Sequence, residues 1–192
     1  DAVGAAHPFH PGIASAAAGQ GKPEVSCAAC HGSHEVVAVK DAAFRFAPQR
    51  QAAACGACHA AVQARLLASD HGNAAAQISP RSPTCLACHR TAVTAGSGAE
   101  PAALKLTQER LCLSCHLRNK SVRDAAAPTA SFIASYEQSV HGAALARGDG
   151  RAPTCIDCHG AHDARHGFDS SSPVNKMRVQ QVCGRCHETE SR

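Results

Sequence analysis

Residues 153–166 read PTCIDCHGAHDARH, with two cysteines and three histidines in fourteen positions. The Cys-x-x-Cys-His core of this stretch occurs six times. The copies are Cys27-Ala-Ala-Cys30-His31, Cys55-Gly-Ala-Cys58-His59, Cys85-Leu-Ala-Cys88-His89, Cys112-Leu-Ser-Cys115-His116, Cys155-Ile-Asp-Cys158-His159 and Cys183-Gly-Arg-Cys186-His187. They use all 12 cysteines of the 192-residue chain. Zinc sites also employ Cys-x-x-Cys pairs, but they have no need of histidine after every second cysteine. A disulfide framework needs no histidine at all. With 13 histidines in 192 residues, six such placements by chance have a probability on the order of 10⁻⁷.

Cys-x-x-Cys-His is the attachment signature of haem c. Cysteines at i and i+3 share one face of a helical turn and add to the two vinyl groups. Histidine at i+4 then sits beneath the iron as the proximal ligand. Six motifs imply six haems c, held by Cys27, Cys30, Cys55, Cys58, Cys85, Cys88, Cys112, Cys115, Cys155, Cys158, Cys183 and Cys186. The proximal imidazoles are those of His31, His59, His89, His116, His159 and His187.

Composition agrees. The chain has no Trp, one Tyr and five Phe, a thin apolar inventory for its length. The macrocycles are expected to serve as the core. The expected fold is mainly irregular with several short α-helices and little or no β-sheet. Covalent haem attachment takes place outside the cytoplasm, so the chain is expected to be exported, to the periplasm or the cell surface. Asp1 is expected to be a processed start, and no apolar run approaches a membrane span. The mature chain is therefore expected to be soluble. The polypeptide carries +4, but twelve propionates and six ferric centres bring this to about −2 oxidised and about −8 reduced. Scattered basic residues and few aromatics give no nucleic-acid signal.

The motifs fall into pairs. Cys27 to Cys55 spans 28 residues, Cys85 to Cys112 spans 27, and Cys155 to Cys183 spans 28. This predicts three two-haem modules at 1–68, 69–127 and 128–192. Each has an upstream histidine followed by proline or glycine: His10-Pro11, His71-Gly72 and His141-Gly142. CHGSH and CHGAH place His34 and His162 three residues after a proximal histidine, whereas CHRTA has Ala92 there. Helices are expected around the second motif of each module. The stretches concerned are 48–69, 107–120 with Thr107 as cap, and 173–190 opening at Pro173; a further helix is expected over 131–146.

YEQSVHG (136–142), APTCIDCHGAHD (152–163) and SSPVNKMRVQQVCGRCH (171–187) resemble the multihaem cytochrome c family with doubled CXXCH motifs. They look like its distal-ligand segment, its first haem site and its second. The resemblance covers nearly the whole chain. It implies mostly bis-histidine irons and closely stacked haems. Ala92 departs from the pattern and leaves one haem's sixth ligand unassigned.

Six bis-histidine haems need twelve imidazoles, and the chain has 13. The repeat assigns distal roles to His10, His34, His71, His141 and His162. His7 or His166 is expected to be the sixth, the other being spare. His34 and His162 cannot pass the edge of their own porphyrin and should reach a neighbouring haem. Met177, the one methionine, lacks a repeat counterpart and is expected to pack rather than ligate.

The expected function is electron transfer along the haem series between redox partner proteins, without catalysis and without a membrane span. One alternative is a repeating subunit of an extracellular cytochrome filament, a nanowire whose partners are copies of the chain itself. A third reading is a multihaem reductase with one open haem, although no C-x-x-C-K variant is present.

Overall fold

The structure is a computed structural model that describes residues 28, 31–34, 37–38, 40–76, 83–90, 93, 99–125 and 130–187. His7, His10, Cys27, Cys30 and Ala92 lie outside the described residues, so their expected roles are not addressed by it. The described residues are helical and irregular, with no strand among them. A 3-10 turn at Pro48–Arg50 leads into α1 (Gln51–Gly56), followed by α2 (Ala60–Leu67) and α3 (Asp70–Ala76). Next come α4 (Cys85–His89), α5 (Pro101–His116) and α6 (Lys120–Ala125). The last four are α7 (Ala130–Gln138), α8 (Val140–Ala146), α9 (Cys155–His159) and α10 (Val179–Cys183).

Several of these helices depart from the expected spans. α5 starts at Pro101, which occupies its first turn and needs no amide hydrogen there. Thr107 is therefore interior, and its hydroxyl donates to Ala103 O at 2.9 Å. Among the described residues of 173–190, helicity is confined to α10. Pro173 opens a series of turns, because Asn175 Nδ2 donates to Gly167 O at 2.9 Å and Asn175 Oδ1 accepts from Met177 N at 3.0 Å. Met177 does not pack; it is 80% exposed.

The stretch 131–146 forms two helices rather than one. Ser139 is the cause: its hydroxyl donates to Tyr136 O at 2.7 Å, closing α7, and accepts from Gly142 N at 3.1 Å, opening α8. A donor orphaned at a helix start is thereby satisfied. Ser69 does the same between α2 and α3, donating to Leu66 O at 2.7 Å and accepting from Gly72 N at 3.1 Å. A β-carbon on Gly142 would overlap Tyr136 O, and one on Gly72 would overlap Leu66 O. The Ser-x-His-Gly device thus folds the chain back sharply and sets His71 and His141 at matching places in the first turn of a helix. Pro8 and Pro11 occupy the corresponding positions beside His10.

The apolar interior is small. Among the described residues the buried hydrophobics are Phe44, Ala47, Leu113, Leu145 and Ala152, while Phe132 and Phe168 are 76% and 87% exposed. Polar ties join the segments instead. Gln51 Oε1 accepts from Leu86 N at 2.8 Å and its amide donates to Phe46 O at 3.0 Å. Asp70 Oδ2 accepts from His166 N at 2.7 Å, and Asp70 N donates to Ala164 O at 3.1 Å. Lys105 donates to Ala152 O at 2.8 Å and pairs with Asp157 at 3.3 Å.

Ser139→Ala removes one cap and should cost about 1 kcal/mol. Gly142→Ala forces a carbonyl aside and should cost about 1–3 kcal/mol. Denaturant titration followed by far-ultraviolet circular dichroism measures both. Wild-type stability in Gly142→Ala would contradict the close approach of α7 and α8.

Candidate functional site

In each described motif the chain makes one α-helical turn from cysteine to histidine. α4 and α9 are single turns that contain Cys85–His89 and Cys155–His159, and α5 ends on Cys112–His116. The other two close the turn after their helix has ended: His59 N donates to Cys55 O, and His187 N to Cys183 O, both at 2.9 Å. The Pro-Thr lead-ins are extended at Thr84 and Thr154. Asp157 accepts from Thr154 N at 2.7 Å and fixes the start of α9. Gly32 and Gly160, each directly after a proximal histidine, have φ of 77° and 76°. This left-handed turn suits glycine and redirects the chain toward His34 and His162. In the second module Arg90 stands there in right-handed helical geometry.

Among the described residues three pairs of imidazoles have ring centres about 6 Å apart. His71 and His116 have ring centres 5.9 Å apart with planes at 37°, and His141 and His187 are 6.1 Å apart at 36°. These pairs are equivalent in the repeat and match closely in geometry. His89 and His162 are 6.0 Å apart at 10°. His162 thus reaches the first motif of the preceding module, not its own. His34 and His166 are exposed. His166 lies 6.3 Å from Phe168, and it is its backbone, not its imidazole, that bonds Asp70. The ring of Phe44 stands 6.2 Å from that of His31, at 35°. Among the described residues no such ring pair includes His159.

The six Å separation has a chemical meaning. Two imidazole nitrogens on opposite sides of one iron, each about 2 Å from it and about 1 Å from its ring centre, put the centres about 6 Å apart. Burial lowers the pKa of His71, His89, His116, His159 and His162, with neighbouring imidazoles adding to the effect at all of these except His116. The neutral ring so favoured is the form that ligates metal. No group of three or more His, Cys, Asp or Glu side chains among the described residues is gathered to hold a bare ion. The arrangement fits haem and does not fit zinc.

The thiols link successive motifs. A hydrogen bond from Cys55 holds Cys85 at about 7. The same bond between Cys112 and Cys155 pushes Cys112 well above the usual thiol range and holds Cys155 at about 7. Burial raises Cys88 and Cys158, helped by the nearby Cys115 and Cys183 respectively. Motifs two to six therefore adjoin in sequence order, and none of the described cysteines is in a disulfide.

Cysteine and histidine on one turn, with an imidazole about 6 Å from the proximal ring in three of the motifs, define a protein that binds haem c covalently. The family model described as doubled CXXCH motif matches residues 79–121 and 144–192, each holding one motif pair. The chain is 24% identical over 172 residues to multiheme cytochrome MtrA of Shewanella baltica (strain OS185). That alignment covers 85% of this chain and 42% of the relative, so the chain spans less than half the relative's length. No solved structure matches it. Both similarities support a multihaem c-type cytochrome with doubled CXXCH motifs.

The residues that sequence reasoning missed are Ser69 and Ser139, which aim the upstream histidines, and Tyr136, whose hydroxyl donates to Pro153 O at 2.7 Å beside the motif of α9. Repetition of Ser two positions before His-Gly was the available signal. Burial, with Glu109 nearby, pushes Tyr136 up to about 12. The phenol is neutral below that value and donates. A folded pKa above the ordinary 10 means its contribution is complete below pH 10 and is lost as pH rises through about 12. Tyr136→Phe should cost about 1 kcal/mol at pH 7 and nothing above pH 12. Labelling this one tyrosine with ¹³C for titration by NMR gives the pKa directly; a value near 10 would refute the assignment.

Proposed function

We propose that the chain transfers electrons along a series of six covalently bound haems c, arranged as two-haem modules at 1–68, 69–127 and 128–192. Each haem iron, when bound, accepts and releases one electron without an atom changing place. The chain's own residues do the rest. His71 and His116 would hold the haem of the fourth motif, His141 and His187 that of the sixth, and His89 and His162 that of the third. By repeat, His10 serves with His59. Two imidazoles on an iron leave no position for substrate and favour low potential. The nearness of cysteines in successive motifs from two to six supports short steps between haems in sequence order.

The single observation that carries this reading is the near-identity of the two repeat-related pairs, 5.9 Å at 37° and 6.1 Å at 36°. Thioether chemistry places the protein outside the cytoplasm, and among the described residues no helix is long and apolar enough to cross a membrane. Redox proteins that give and take electrons are its partners.

Intact mass measured under denaturing conditions should exceed the 19.7 kDa chain by roughly 3.7 kDa, the mass of six haems attached through thioethers. A mass equal to polypeptide plus zinc would end the proposal. His71→Ala, His141→Ala and His162→Ala should each turn one low-spin haem in six high-spin, and His166→Ala none. Electron paramagnetic resonance of the oxidised protein reads this, and an unchanged spectrum for His162→Ala would remove the cross-module assignment.

A further inference from the structure

Two of the imidazole pairs are nearly copies of each other, and one residue sets them apart. Ser69 and Ser139 open their helices by the same two hydrogen bonds. The imidazoles that follow stand 5.9 Å at 37° and 6.1 Å at 36° from their partners. Between serine and histidine lies Asp70 in α3 and Val140 in α8. Val140 is 80% exposed and carries no charge. Asp70 is an acidic residue in its helix's first turn.

Asp70 is held from two directions. Its Oδ2 accepts from His166 N at 2.7 Å, and its amide donates to Ala164 O at 3.1 Å. Arg165, the cation between those two anchors, pairs with Asp169 at 3.1 Å. The field of the Asp70 carboxylate reaches the neighbouring imidazole. Burial and His116 lower the pKa of His71, and Asp70 works against both. A negative charge that favours a cationic ring also favours, by the same Coulomb attraction, the ferric form of an iron bound to that ring.

We propose that Asp70 is a positioning residue for the haem of the fourth motif: it places a fixed negative charge beside His71 that stabilises ferric iron and lowers this haem's reduction potential. The proposal rests on the haem reading above. It adds a determinant of potential that the sixth haem lacks, since Val140 stands in its place. Reduction gives the iron one electron and makes or breaks no bond, so a placed charge suffices to bias it.

The test uses the haem-loaded protein. Intact mass first establishes six haems in every variant. Haem-methyl NMR signals displaced in His71→Ala belong to the fourth haem, and those displaced in His141→Ala to the sixth. If His71→Ala displaces none, the haem assignment fails and the proposal with it. Redox titration with mediator dyes, followed through these signals, reads each potential. Asp70→Asn keeps an oxygen for His166 N and removes the charge. It should ease reduction of the fourth haem about tenfold, about 59 mV for one electron, with the iron still low-spin. Asp70→Glu keeps the charge and should hold the potential near wild type. An unchanged fourth-haem potential in Asp70→Asn would overturn the proposal, and so would an equal shift in Asp70→Glu, which marks a purely structural effect. Should Asp70→Asn fail to load, Val140→Asp decides. At that exposed position the new carboxylate should make reduction of the sixth haem about tenfold harder, and an unchanged potential there would overturn the charge effect.

Discussion

A haem iron that takes two imidazoles needs the second from a residue that the first one's helical turn cannot supply. The cysteines and the proximal histidine share a single turn, so they reach only one side. The second imidazole has to come from elsewhere in the chain, and its ring centre has to stop about 6 Å from the first. Much of the local structure serves that demand. Ser69 and Ser139 break a helix so that a histidine two positions later turns inward. Gly160 redirects the chain after His159 so that His162 leaves its own motif and meets His89. With so few buried apolar side chains among the described residues, packing alone could not enforce these distances.

Much of this was legible in the residues, and the reason is covalent. A thioether pair fixes cysteine spacing and the identity of the following residue, so the motifs carry their meaning without tertiary context. That the described residues hold no strand agrees with the expectation from composition. Helix boundaries were less accessible. Thr107 carries a capping signal, yet Pro101 six residues earlier starts the helix and absorbs it. The stretch 131–146 has helical propensity throughout, and only the close approach of Gly142 to Tyr136 O shows that it folds back. Propensity is a local average; a serine that serves two helices at once is a three-dimensional fact. Which distal histidine meets which motif was likewise hidden, since the repeat gives each residue a role but not a destination.

The polar ties matter for the same reason. Gln51 bonds Leu86 N at the start of α4, and Asp70 bonds the backbone on either side of Arg165. Both span the proposed module boundaries, and both hold backbone that leads into or out of a haem motif. Each is a neutral or charge-assisted bond worth about 1–3 kcal/mol, modest beside a thioether. Their contribution is directional: they orient one module's motif turn against its neighbour before or after the macrocycle is in place.

The pairing of His89 with His162 has a temporal side. The two residues stand 73 positions apart in the chain, and synthesis delivers the earlier one first. The entropy of closing so long a loop grows only slowly with length, so distance is no great obstacle, but sequence of arrival is. In the proposed assignment the third motif would meet its haem and its proximal ligand first and would wait for His162, whose segment turns at Gly160. His71 and His116, 45 positions apart, close within a shorter interval. In that assignment the molecule would be completed as a clasp, its final segment securing one far upstream.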